Sequence, residues 1–108
     1  MPAHLGEFEQ LVLLAVLKLD DQATGGAIRS AIADGSQRVV WIGAVHTTLE
    51  RLEMKGLIRS GVVPSAAPSG RRRKVYALQP AGRAAIAHAY LTWVRMTRGL
   101  KPKLESSS

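Results

Sequence analysis

Cysteine is absent from this 108-residue sequence, which excludes disulfides and thiolate metal sites. Histidine is scarce, and His4, His46 and His88 stand too far apart for a ligand set, so no metal is expected. No apolar run is long enough to cross a bilayer, because Lys18, Asp20 and Asp21 break the best candidate. The N-terminus has no cationic start leading into an apolar run, so no signal peptide is read and a cytoplasmic location is expected. Catalytic signatures are missing as well. Without a nucleophile elbow, a phosphate-cradling glycine loop or paired carboxylates, neither an enzyme nor a cofactor is expected.

Acidic residues are sparse in one part of the chain, and that asymmetry is informative. Residues 1–34 carry five acids and two bases, whereas residues 64–79 carry four bases and no acid, and residues 80–108 five bases and one acid. The formal charge of +7 therefore sits in the second half, which favours a polyanionic partner over a general solubility effect. At this length the chain is one domain with a modest core, and burial of further apolar surface by a second copy is plausible.

The stretch from Val40 to Leu57 organises the rest. Ile42, Val45, Leu49 and Leu52 recur at steps of three, four and three, so they form one apolar stripe of a helix running from Trp41 to Lys55. Gly56 supplies its C-cap. The opposite face carries Gly43, Ala44, His46, Thr47, Glu50 and Arg51, small and hydrogen-bonding residues that can enter a groove. Trp41 stands where a capping hydroxyl or amide is usual, and is read as anchoring the helix start against the core or covering a cavity.

Beyond Gly56, two β-prone runs flank a Pro/Ser/Gly segment, and the second opens with Arg71, Arg72, Arg73 and Lys74. This reads as a hairpin with a long tip. A helix with a polar face followed by a basic hairpin is the order of parts in a winged helix-turn-helix, with the hairpin bringing charge to DNA phosphates. The expected fold is mainly α with a small β-hairpin: a winged helix-turn-helix DNA-binding domain over residues 1–79, a C-terminal dimerisation helix over 80–100, and a disordered tail over 101–108.

Leu5 to Leu19 is the first helix; Phe8, Leu11, Val12, Ala15 and Leu19 keep the period while Leu14, Val16 and Leu17 widen the apolar surface, as in a core helix or one that also shares in a dimer interface. Thr24 is the N-cap of a second helix whose Ala27, Ile28, Ala31 and Ile32 face inward and whose Arg29 is a candidate phosphate contact. Arg38-Val39-Val40 is an extended link that could pair with the wing as a small strand. In the last helix Pro80 suits the first position, and Ile86, Tyr90, Trp93, Thr97 and Leu100 follow a spacing close to a heptad seam. One chain offers little to cover that seam, so self-association as a twofold dimer is expected.

With these pieces in place the sequence resembles the PadR family of bacterial transcriptional regulators. The likeness lies in Leu5-Gly6-Glu7-Phe8-Glu9 and Leu11 to Leu14, in Gly25 with Ile28-Arg29, in Gly43 to Glu53 with Lys55-Gly56-Leu57-Ile58, and in Gly70 to Leu78 with Ala81-Gly82-Arg83. The resemblance implies a homodimer whose two recognition helices enter successive major grooves of a palindromic operator in double-stranded DNA, most often to repress. It further implies that His46, Thr47 and Arg51 face DNA and that Arg71 to Lys74 grip phosphates. Two positions depart from the family pattern: His46 stands where tyrosine is usual, and Gly26 where an aromatic residue is usual. Some relatives hold flat aromatic effectors at the dimer interface, for which Tyr90, Trp93 or Trp41 could provide stacking faces. The competing reading is a winged-helix module that binds a protein partner, with nucleic-acid affinity incidental.

Overall fold

A computed structural model describes residues 4–64 and 72–106. The chain runs α1 (Glu7–Leu19), a single 3-10 turn (Asp20–Gln22), α2 (Gly25–Ser36), α3 (Ile42–Met54), β1 (Ile58–Pro64), β2 (Arg72–Leu78), α4 (Pro80–Thr97) and α5 (Lys101–Glu105). The three helices followed by a two-stranded antiparallel hairpin form a winged helix-turn-helix.

Local chemistry explains most element ends. The Gly6 N–H donates to Glu9 Oε1 at 3.0 Å, opening α1 with an acidic first turn that suits the helix dipole. Thr24 Oγ1 accepts from the Ala27 N–H at 3.2 Å and starts α2. At the other end of α3, Gly56 adopts φ +77°, its N–H donates to Glu53 O and the Leu57 N–H reaches back to Leu52 O, each at 3.0 Å. This is a Schellman cap, and it turns the chain straight into the hairpin. Pro80 occupies the first turn of α4, where its missing N–H costs nothing.

α1 is the central element, touching α2, α3, β2 and α4. Its Val12, Leu13 and Val16 meet Ile28 and Ile32 of α2, Val45, Leu49 and Leu52 of α3, Leu57 and Ile58 beside the hairpin, Tyr76 of β2, and Ala85 and Ile86 of α4 in a single buried cluster. No helix among the described residues is long and apolar enough to cross a membrane. The radius of gyration is 15.7 Å, above the roughly 13 Å of a compact domain this long. The excess fits the second half of α4, where every residue from Tyr90 to Gly99 is exposed.

Several expectations need correction. Ile42 is 43 % exposed: as the first residue of α3 it lies beyond the edge of the core, and the buried stripe is instead Val45, Thr48, Leu49 and Leu52. Trp41 neither anchors α3 nor covers a core cavity, being 75 % exposed. Residues 38–40 form no strand. The extra bridge to the wing comes from Thr24 opposite Val75, reinforced by the Tyr76 N–H donating to Ala23 O at 2.9 Å. After α4, Gly99, at φ +80°, leads the chain into the short helix Lys101–Glu105.

Candidate nucleic-acid interface

The link between α2 and α3 sets the angle at which α3 is presented. Gln37 ends α2 in a left-handed conformation, its N–H donating to Ala33 O at 3.0 Å and its side chain to Asp34 O at 2.8 Å. Val40 then drops into the core, and its carbonyl accepts from Arg29 Nη1 at 3.3 Å. Arg29 is half-buried and holds the link in place, so part of its hydrogen-bonding capacity is already used.

α2 and α3 approach closely at Gly25 and His46. A Cβ on Gly25 would lie 2.8 Å from His46 Cε1, so with any larger residue at this position the ring has to move. Gly26, in contrast, has open space beside it. The outer side of α3 presents Gly43, Ala44, His46, Thr47, Glu50 and Arg51, all exposed, while Val45, Leu49 and Leu52 are held in the core. Burial of one stripe thus fixes which residues meet solvent, and among the described residues no side chain of the outer row makes a hydrogen bond.

The wing is joined to this helix near its base. Ser60 Oγ on β1 donates to Glu53 Oε2 on α3 at 2.7 Å. Lys55, the C-cap of α3, donates to Glu9 Oε2 at 2.8 Å, linking the same end to the first turn of α1. Glu9 is buried, which by itself pushes its carboxyl upward. Hydrogen bonds from Lys55 and the Gly6 N–H, with the positive charges of Lys55 and Arg51, outweigh that and hold it below its ordinary value. A third tie, Arg38 to Glu7 at 2.9 Å, is exposed. None of these pairs was read from the sequence. Lys55 and Glu9 lie 46 positions apart, and nothing local marks them as partners.

On β2 the described part of the expected run of cations is divided between two faces. Strand residues alternate between faces, so Arg72 and Lys74 share one side with Tyr76, and Arg73 takes the other with Val75. Their partners in the ladder are Pro64, Val63 and Val62 for Arg72, Arg73 and Lys74 respectively. Lys74 Nζ lies 5.7 Å from the Tyr76 ring centroid, a cation–π distance. Arg73 is half-buried and its Nε has no partner among the described residues. Arg71 lies outside the described residues.

The residues assigned to an association or ligand surface also separate. Ile86 is 4 % exposed and belongs to the core, because the first half of α4 packs on α1 and β2. Phe8 is partly buried against the same cluster. Tyr90 and Trp93 are each 62 % exposed, and Thr97 Oγ1 donates to Trp93 O at 2.6 Å along the outer part of α4. The apolar row there therefore begins at Tyr90, with Leu91, Val94 and Met96 also exposed. No group of three or more metal-binding side chains is assembled among the described residues.

Residues 13–88 match the Transcriptional regulator PadR-like family. Among solved structures, a PadR family transcription regulator from hypervirulent Clostridium difficile R20291 is similar at 24 % identity and TM-score 0.71, over 92 % of this chain and 99 % of that one. A PadR family transcriptional regulator from Eggerthella lenta DSM 2243 is 25 % identical with TM-score 0.64, over 92 % and 87 % of the two chains. A PadR-like transcriptional regulator from Bacillus cereus strain ATCC 14579 is 18 % identical with TM-score 0.69, over 90 % of each. No curated relative matches.

Proposed function

Because the chain belongs to the PadR-like family of transcriptional regulators, we propose that it is a homodimeric, sequence-specific DNA-binding repressor. The observation that carries this reading is the exposed row Gly43, Ala44, His46, Thr47 and Arg51 on a helix whose other side is locked in the core. Small residues at the start of that row let the backbone approach a groove wall. Histidine, threonine and arginine then offer donors and acceptors to base edges.

In this reading the wing supplies affinity and α3 supplies discrimination. Arg72 and Lys74 reach phosphates from one face of β2, Arg73 serves the other face, and Arg71, next to them in the sequence, adds a fourth cation. Their neutralisation of phosphates releases counterions and acts on any sequence alike. Arg29 contributes mainly by holding the α2–α3 link, with its remaining N–H groups available to a phosphate. Two copies associate through Tyr90, Trp93 and Thr97 on the outer part of α4, so that two α3 helices meet a palindrome. A flat aromatic effector, if the protein responds to one, enters at that same surface. Occupancy of a promoter then blocks transcription, which places the protein's work in the cytoplasm. No step asks for catalytic chemistry.

Selection from random duplexes by the purified chain, with its mass measured in solution, tests the proposal. Expected are an enriched palindrome, a mass of twice 11.6 kDa, and binding that weakens steeply with salt. Recovery of no enriched site, or a complex with a protein partner that persists after Arg72, Arg73 and Lys74 are neutralised, would favour a protein-interaction module instead.

A further inference from the structure

We propose that Trp41 is a specificity-determining residue that lies against a thymine C5-methyl group in the major groove. The inference rests on the DNA-binding reading above and adds to it a residue and a base. Trp41 is the N-cap of α3, yet its side chain makes no capping hydrogen bond. Its indole N–H has no hydrogen-bond partner among the described residues, and its ring takes part in no cation–π contact there.

Its neighbours make the exposure more than a stray surface residue. Val39 is 78 % exposed, Trp41 75 % and Ile42 43 %, while Val40 between them is buried. Three large apolar residues are thus exposed directly ahead of Gly43 and Ala44, the small exposed residues that begin the outer face of α3, and Val39 and Trp41 line one shallow cleft with Ala44. Scattered apolar residues are ordinary on protein surfaces, but exposed apolar residues grouped at the start of a polar reading face point to a contact.

The duplex is the occupant that fits the position. The first residues of a recognition helix are those that meet base edges, so a side chain on its N-cap is within reach of the groove. The segment 38–49 holds no acid, and nearby Glu7 is already paired with Arg38 at 2.9 Å. A polyanion can therefore approach without meeting an unpaired carboxylate from these residues. Exposed aromatic residues suited to self-association sit on a different element, at Tyr90 and Trp93.

Thymine is singled out by chemistry. Among the base-pair edges in the major groove, only thymine carries an apolar methyl group, and it matches the apolar indole face. The N–H on the indole rim can donate to the adjacent phosphate, which orients the ring without adding sequence information.

The test uses the full chain and duplexes recovered by selection. In Trp93→Phe, which keeps an aromatic ring at the association surface and is used once its mass in solution and duplex affinity match those of the unsubstituted chain, Trp41 is the sole tryptophan, and its accessibility to acrylamide is read by fluorescence with and without DNA. Expected are protection on binding and a roughly tenfold loss of affinity when uracil replaces one thymine in each half-site, since base contacts discriminate at this scale. Trp41→Ser should lose a similar factor and become insensitive to the uracil change, with Trp41→Phe intermediate. The thymine-to-uracil arm leaves the protein untouched, so misfolding of a variant cannot mimic it. Tight binding of a selected duplex with Trp41 still open to acrylamide, or equal uracil sensitivity in Trp41→Ser and its parent at every thymine, overturns the inference alone. Protection that tracks protein concentration without DNA overturns it in favour of a second copy. Failure to bind any duplex overturns the DNA-binding reading and the inference with it.

Discussion

The Lys55 ammonium at the C-cap of α3 donates to the Glu9 carboxylate in the first turn of α1 across 2.8 Å, with the glutamate side chain buried and the lysine 38 % exposed. The contact fixes the end of the candidate recognition helix to the central helix of the fold. Because the Glu9 carboxyl is held below its ordinary value, its contribution to stability is complete above the unfolded value of about 4.3 and is lost as the pH falls through the lower, folded one. Glu9→Gln should flatten this part of the acid response and cost about 1 kcal/mol at neutral pH, a hydrogen-bond-sized loss kept modest by solvent around Lys55. Urea titrations at neutral pH and below the carboxylate range check it. Identical acid sensitivity in both proteins would dismiss the pair as a source of stability.

Two glycines should respond differently to one added methyl group. A Cβ on Gly82 would overlap the Leu57 carbonyl oxygen, which also accepts from the Gln79 N–H at 2.9 Å. Backbone cannot step aside cheaply, so Gly82→Ala should cost about 3 kcal/mol or more. On Gly25 the obstacle is the exposed His46 ring, which can rotate away. Gly25→Ala is expected to cost only about 1 kcal/mol and to shift the sequence preference of binding instead. Thermal melts, set beside duplex titrations, separate the two outcomes.

The split of the wing cations predicts a graded salt effect. Removing both Arg72 and Lys74 should weaken binding to all duplexes alike and reduce the slope of log affinity against log salt by about two. Arg73→Ala should change that slope by no more than about one, since it removes a single cation from the other face. Titrations at several salt concentrations decide the matter; an effect confined to one sequence would mean that the wing reads bases.

Position along α4 should separate folding from association. Ile86→Ala opens a cavity in the core and is expected to cost about 2–5 kcal/mol of stability. Trp93→Ser removes an exposed ring and should leave the secondary structure intact while shifting the mass in solution toward the monomer. Sedimentation velocity and circular dichroism on both variants provide the comparison. A fully dimeric Trp93→Ser would move the association surface away from this part of α4.

Much of the frame was legible without coordinates because its signals are local. The apolar period marked each long helix, and Thr24, Gly56 and Pro80 marked ends whose hydrogen bonds span only a few residues. The outer row of α3 followed once Val45, Leu49 and Leu52 were read as inward, since one buried face leaves the other exposed. The failures share a cause too. Ile42 and Ile86 both fit their helical periods, but a period cannot say where along a helix the neighbouring element stops or begins. Trp41 was read as anchoring the start of α3 or covering a cavity, but no element of the described fold encloses it, and it is left 75 % exposed.

The sequence by itself determined the order and kind of the elements, the caps between them, and the concentration of positive charge in the hairpin and terminal helix. Each depends on residues a few positions apart or on simple summation. Only the tertiary structure decided that Glu9 meets Lys55, that Gly25 admits His46, and that Trp41 is exposed while Ile86 is enclosed. Those outcomes depend on which faces of distant elements come together, a choice made by packing the whole core at once and not by any segment alone.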